Sequence, residues 1–119
     1  MALKRVVITG LGALTALGKT VEEYWQGLTD GVSGCDMIAQ FDASKFKTKF
    51  ACEVKDFDPT VYLDRKEARK MDRFTQFAIV AADEAVKDAG LTPENVNADR
   101  VGVIFGSGIG GIIDRKSVV

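Results

Sequence analysis

The chain has 119 residues, 46% of them hydrophobic and 28% charged, which is enough for one domain with a core of its own. Sixteen basic and seventeen acidic side chains give a net charge of −1, so the chain has no overall positive charge with which to bind nucleic acid. The sequence has no histidine, so a Ser/His/Asp triad, an imidazole base and a histidine metal site are excluded within it. Without a secretory leader pattern or a run of ~20 apolar residues, we expect a cytoplasmic protein with no membrane partner.

The first predicted element is a buried strand over residues 4–10. Its centre, Val6–Ile8, is β-branched and does not alternate with polar residues, which is typical of a parallel sheet covered on both faces. Gly10, Gly12 and Gly18 follow and indicate a loop whose backbone turns sharply or approaches another element closely.

A first helix is predicted over residues 20–30. Thr20 and Glu23 match a capping box, and Asp30 with Gly31 supplies the end signal. An apolar stripe between these signals gives the helix one face to bury.

Residues 32–59 are less periodic. Within them only Phe50–Val54 alternates enough to predict a short edge strand. Cys35 and Cys52 match no metal-binding spacing and are too few for a disulfide scaffold, which indicates a reducing compartment. We interpret both cysteines as small buried hydrophobes.

A longer helix is predicted from Asp64, its N-cap, to Gly90, its C′ glycine. Alanines dominate its second half, so a neighbouring element can approach it closely. Its apolar stripe recurs at steps of three and four residues: Met71, Phe74, Ala78, Ala81, Ala85 and Ala89.

A second buried strand over residues 100–105 runs into a glycine loop, residues 106–111. Two buried strands with helices between them predict an α/β fold with a mainly parallel sheet. The loop fits G-x-G-x-x-G, but the sequence stops short of the helix and acidic residue that a dinucleotide site requires. Nucleotide binding therefore stands as an alternative to tight turns at a strand end, with Ser107 interpreted as a turn residue.

Residues 65–73 form a local basic cluster of five basic and two acidic side chains. On one continuous helix, Arg65, Arg69 and Arg73 would share a face. Cations at a helix N-terminus oppose the macrodipole at a cost of ~0.3–1 kcal/mol each when exposed. The cluster indicates either a surface for an acidic partner or a solvated helix face.

Seven sets of residues form a distinctive ordered pattern: 5–12, 25–28, 31–34, 41–42, 65–67 with 69–74, 88–91 and 105–111. Together they resemble the opening of the β-ketoacyl-acyl carrier protein synthases, and their sequences are most similar to the synthase II branch. The resemblance implies the α/β thiolase-like fold of two duplicated halves in a homodimer, with a mainly parallel sheet core and covering helices. Residues 1–111 would be the start of the N-terminal half.

The resemblance also implies an activity, the decarboxylative condensation of malonyl-carrier protein with a carrier-bound acyl chain, without metal or cofactor. The family's nucleophilic cysteine and two histidines would lie beyond the last residue, and neither Cys35 nor Cys52 matches that cysteine. We therefore assign no catalytic residue here and expect the chain alone to be inactive.

Two family sites fall within the matched segments. Lys66, Arg69 and Lys70 correspond to the docking patch for the acidic acyl carrier protein, and Ile109 to a residue that lines the fatty-acyl pocket near the dimer interface. Residues 112–119 depart from the family and resemble a sequencing-adapter read-through, so we expect a non-family tail. A stand-alone carrier-protein-binding module and a nucleotide-binding α/β domain are the alternatives.

Overall fold

The computed structural model describes residues 3–111, and the predicted tail at residues 112–119 lies outside them. None of the helices in the described part has the length and apolar character needed to cross a membrane. In chain order the elements are α1 (Val21–Thr29), β1 (Cys35–Met37), β2 (Phe50–Cys52), a 3-10 turn (Pro59–Val61), α2 (Arg65–Ala68), α3 (Arg73–Asp88) and a second 3-10 turn (Ala98–Arg100).

Helix α1 confirms the helix predicted over residues 20–30, because its start is encoded locally. The Thr20 hydroxyl accepts a hydrogen bond from the Glu23 N–H at 3.2 Å. The Glu23 carboxylate accepts one from the Lys19 N–H at 2.6 Å. Thr20 itself is extended, with φ −137° and ψ 163°, as an N-cap requires.

The single helix predicted from Asp64 to Gly90 is wrong, since the chain breaks it into α2 and α3. Asp64 caps α2 as predicted by accepting hydrogen bonds from two N–H groups of its first turn. At the end of α2, the Ala68 carbonyl accepts a hydrogen bond from the side-chain amide of Gln76 at 2.8 Å. Asp72 is extended, with ψ 154°, so that α3 starts afresh.

The predicted glycine stop of the long helix is confirmed at the end of α3. Gly90 has φ +63°, a conformation that glycine adopts without steric cost. Its N–H donates to the Lys87 carbonyl at 3.0 Å, and the Leu91 N–H donates to the Val86 carbonyl at 3.1 Å. These two bonds form a Schellman motif.

The strands predicted at residues 4–10 and 100–105 are not paired in the described chain. The sheet observed within residues 3–111 is antiparallel and joins β1 to β2. The short strand predicted at Phe50–Val54 corresponds to β2, whereas β1 was not predicted. An extended segment becomes a strand only when another segment pairs with its N–H and C=O groups, and these two segments have no such partner in the described chain.

The apolar side chains of the described residues are mostly open to solvent. The buried hydrophobic ones are Ala43, Ala68 and Val80, whereas Val6 is 92% exposed and Ile104 is 98% exposed. The Cα radius of gyration is 17.9 Å, against about 13 Å for a compact domain of this size. The described chain is therefore an open arrangement, with one glycine loop near each end of α3.

Candidate functional site

The first glycine loop packs directly on the backbone of α3. A Cβ on Gly12 would overlap the carbonyl of Ala81, and a Cβ on Gly10 would lie 2.6 Å from the backbone nitrogen of Ala89. This confirms the interpretation of the glycines as points of close approach and of the alanines as the residues that permit it. Helix packing thus accounts for these glycines without a bound phosphate.

Two carboxylates of α3 hold this loop by its backbone. Asp88 accepts a hydrogen bond from the Leu11 N–H at 2.9 Å. The two oxygens of Glu84 accept separate bonds, from the Ala13 N–H at 2.8 Å and from the Val21 N–H at 2.8 Å. Glu84 therefore ties both the loop and the first turn of α1 to α3. This role of Glu84 was not predicted from the sequence, although two acidic residues four positions apart beside an alanine stripe could have indicated it.

The basic cluster lies on α2 and on the turn that joins α2 to α3. Lys66, Arg69 and Lys70 are all exposed. Lys70 pairs with Glu67 at 2.7 Å, a solvent-exposed contact of the kind that contributes only ~0–1 kcal/mol. Among residues 3–111 no ion pair involves Lys66 or Arg69. The three predicted docking residues therefore present a positive surface to solvent.

Arg73 does not belong to this surface, so the predicted face of Arg65, Arg69 and Arg73 is wrong. Its guanidinium donates to the Val54 carbonyl at 2.9 Å. The guanidinium carbon lies 5.8 Å from the ring centre of Phe57 and 5.3 Å from that of Phe77. Since the helix breaks before residue 73, Arg73 turns inward and serves packing rather than an external partner.

The second glycine loop contacts the start of α3. A Cβ on Gly111 would lie 2.6 Å from the Asp72 carboxylate, and a Cβ on Gly110 would lie 3.7 Å from the Phe74 ring. Gly110 has φ +83°, and its N–H donates to the Ser107 hydroxyl at 3.0 Å. The interpretation of Ser107 as a turn residue is confirmed.

Ile109 lies on this loop and is 84% exposed. Because the loop contacts Asp72, two positions after Lys70, the structure brings the loop of Ile109 and the basic cluster to the same end of α3. An apolar trough of about 300 Å³ lies alongside, between α3 and the segment before the loop. Its walls include Phe74 and Phe105 but not Ile109.

The interpretation of the cysteines as buried hydrophobes is wrong. Cys35 and Cys52 are both exposed and carry free thiols. They lie opposite each other on β1 and β2, a sheet too short and too open to cover them. The sequence could not show this, because β1 itself was not predicted.

Comparisons with known proteins agree on one family. Residues 3–118 match the family model described as the N-terminal domain of β-ketoacyl synthases. The 3-oxoacyl-[acyl-carrier-protein] synthase 2 of Synechocystis sp. is 54% identical over 109 residues, which are 92% of this chain and 26% of the relative. The protein of the same name from Vibrio harveyi is 52% identical over 112 residues, 94% of this chain and 27% of the relative.

Solved structures give the same result. The ishigamide ketosynthase/chain length factor superposes with a TM-score of 0.72 and 43% identity, over 80% of this chain and 24% of that one. A β-ketoacyl synthase from Burkholderia phymatum superposes with a TM-score of 0.64 and 31% identity, over 82% of this chain and 24% of that one. The chain spans about a quarter of the length of these relatives. The fold is that of the thiolase-like ketosynthases, and the chain belongs to the β-ketoacyl synthase family, whose N-terminal domain it matches.

Proposed function

We propose that this chain forms part of a 3-oxoacyl-acyl carrier protein synthase of type 2, which condenses malonyl-carrier protein with a carrier-bound acyl chain during fatty-acid elongation. The support is the 54% and 52% identity to relatives of that name. The chain contains no histidine, and its two cysteines lie on an exposed sheet. It therefore lacks the groups for the condensation itself, and alone it is inactive.

Within this function, Lys66, Arg69 and Lys70 dock the acyl carrier protein, an acidic partner. The observation that carries this assignment is the joint exposure of these three side chains at the α2–α3 junction. Within the described chain, the one ion pair among them is the weak, exposed pair of Lys70 with Glu67. Exposed charges of one sign steer an oppositely charged partner and fix its orientation on the surface.

Ile109 forms part of the wall of the acyl pocket. Its support is an apolar side chain that is 84% exposed and flanked by Gly108 and Gly110, so that the neighbouring backbone leaves room for an acyl chain. In the homodimer that the family resemblance implies, this pocket lies near the dimer interface. The docking surface and the pocket then lie at the same end of α3, so the docked carrier holds its acyl group close to the pocket.

The described segments at residues 6–8 and 101–105 become strands of a parallel sheet in the longer enzyme. Their support is the exposure of side chains such as Ile8, at 83%, and Val103, at 86%. A self-standing module would bury such side chains. The exposure therefore favours part of a larger enzyme over a stand-alone carrier-protein-binding module.

The docking assignment is tested by binding of purified acyl carrier protein to the 119-residue chain, followed by fluorescence anisotropy at several salt concentrations. The double variant Lys66→Glu with Arg69→Glu reverses two charges of the cluster. We expect its Kd to rise about 10- to 100-fold, because like charges then face the acidic partner. Wild-type binding should also weaken as salt rises.

The matched control is Lys45→Glu with Lys47→Glu, which makes the same charge change at two exposed positions outside residues 65–73. Its Kd should stay within about threefold of the wild-type value. Circular dichroism confirms that both variants keep the helix content of the parent. An equal loss of affinity in both double variants would contradict docking at the cluster.

A further inference from the structure

The two cysteines are direct cross-strand neighbours. In the register of β1 and β2, Cys35 is opposite Cys52. The Ile38 N–H donates to the Lys49 carbonyl at 2.9 Å, which makes that pair a hydrogen-bonded one. Because the two kinds of pair alternate along an antiparallel ladder, Cys35 and Cys52 occupy a non-hydrogen-bonded position. At such positions the Cα atoms are about 4.5 Å apart, the closest spacing that an antiparallel sheet provides.

The pKa of Cys35 also reflects the neighbouring Cys52 thiol. Partial loss of solvent, followed by the charge and hydrogen bonding of Cys52 and the charge of Asp36, raises the pKa of the Cys35 thiol above its usual range. The two thiols are therefore direct neighbours on one face of the sheet before any covalent bond forms.

We propose that Cys35 and Cys52 are a redox-active pair that closes into a reversible disulfide across the β1–β2 sheet, with a low-molecular-weight disulfide such as glutathione disulfide as the oxidant. A disulfide needs Cα atoms about 4.4–6.8 Å apart, a condition that this register meets. Both thiols are exposed, so the oxidant can reach them. A metal site does not account for the pair, since no group of three or more ligating side chains occurs among residues 3–111.

The reaction proceeds by two thiol–disulfide exchanges. One protein thiolate attacks a sulfur of glutathione disulfide, forms a mixed disulfide and releases one glutathione thiolate. The second protein thiolate then attacks the protein sulfur of that mixed disulfide and releases the other glutathione. Two protein thiols are oxidised to one disulfide, and one glutathione disulfide is reduced to two thiols. Excess reduced glutathione reverses both steps.

The test compares this equilibrium in the folded and unfolded chain. The purified 119-residue chain is equilibrated with mixtures of reduced and oxidised glutathione, in native buffer and in concentrated guanidinium chloride. Trapped species are then separated by mass. Trypsin cleaves at the lysines between the two cysteines and leaves them on separate peptides, residues 20–45 and 50–55, which only the disulfide joins.

We expect the equilibrium constant for the protein disulfide to be about 30- to 1,000-fold larger in native buffer than in denaturant, the ratio that corresponds to the usual stabilisation by a disulfide. The matched control combines Cys52→Ala with Ala51→Cys. It keeps two cysteines but moves one thiol to the opposite face of β2. Its ratio should fall close to one.

Three results would overturn the proposal. One is an equal constant in both solvents, which would mean that the fold does not bring the thiols together. Another is a ratio for the shifted-cysteine variant that matches the wild type. The third is the accumulation of glutathione adducts on both cysteines in place of the joined peptides.

Discussion

Replacing Glu84 by glutamine should release the first glycine loop from α3. The Glu84 carboxylate accepts hydrogen bonds at 2.8 Å from the Ala13 and Val21 N–H groups, both part-buried. Glutamine keeps the length and shape of the side chain but has one acceptor oxygen. Its NH₂ group must therefore face one of the two N–H donors, which loses its partner.

The size of the effect follows from these two bonds. A hydrogen bond to a charged group contributes about 1.5–3 kcal/mol, and the bond that survives becomes a neutral one. Because both donors are only partly removed from water, we take about 2 kcal/mol as the loss. A difference of this size corresponds to about a 30-fold change in the equilibrium between the closed and the open loop.

Amide hydrogen exchange followed by NMR measures this opening directly, because each N–H reports its own local protection. We expect the exchange rates of the Ala13 and Val21 amides to rise about 30-fold in Glu84→Gln. The control is Asp83→Asn, which removes the same charge from the adjacent position. Within residues 3–111, the ion pair of Asp83 is an exposed one with Lys87, at 2.6 Å, so the rates should change less than about threefold. Equal changes in the two variants would refute the role given to Glu84.

Two further outcomes are expected. Gly12→Ala should lower the free energy of unfolding by about 1–3 kcal/mol in urea titrations, because its Cβ would overlap the backbone of α3. Gly102→Ala should leave the free energy of unfolding nearly unchanged, because a Cβ there would meet nothing within 4 Å among the described residues. The hydrogen bond from Lys55, and then that from a backbone N–H, lowers the pKa of Asp36. The stabilisation by this pair is therefore complete above the unfolded value of about 3.9 and is lost as pH falls through the lower folded value. An NMR titration of Asp36 should show this depressed midpoint, and Lys55→Met should raise it; an ordinary midpoint in the wild type would contradict the pair.

The elements that the sequence predicted correctly are those fixed by local interactions. The start of α1 depends on Thr20 and on residues within four positions of it. The end of α3 depends on Gly90 and the turn before it. Such signals are complete within one turn of helix, so they can be recognised from spacing alone.

The features that the sequence did not predict depend on partners far along the chain. The break before α3 accompanies a bond from Arg73 to the Val54 carbonyl, 19 positions away. The role of Glu84 is to hold Ala13, 71 positions away. The exposed cysteine pair depends on the register of β1, a strand of three residues with no clear alternation. Neither helical period nor strand alternation carries this information.

The break also changes the electrostatic argument for the basic cluster. On one long helix, its cations would have opposed the positive end of a full macrodipole. In the structure that end belongs to α3, where Asp72 precedes the first turn and the Arg73 cation lies beside two aromatic rings. Lys66 lies on α2, whose four residues carry a much smaller dipole, and Arg69 lies at the C-terminal end of α2, where a cation is favoured. An electrostatic cost of the cluster is therefore no longer a reason to infer an acidic partner. The case for docking depends on the exposure of Lys66, Arg69 and Lys70 and on the family, and these are what the charge-reversal experiment tests.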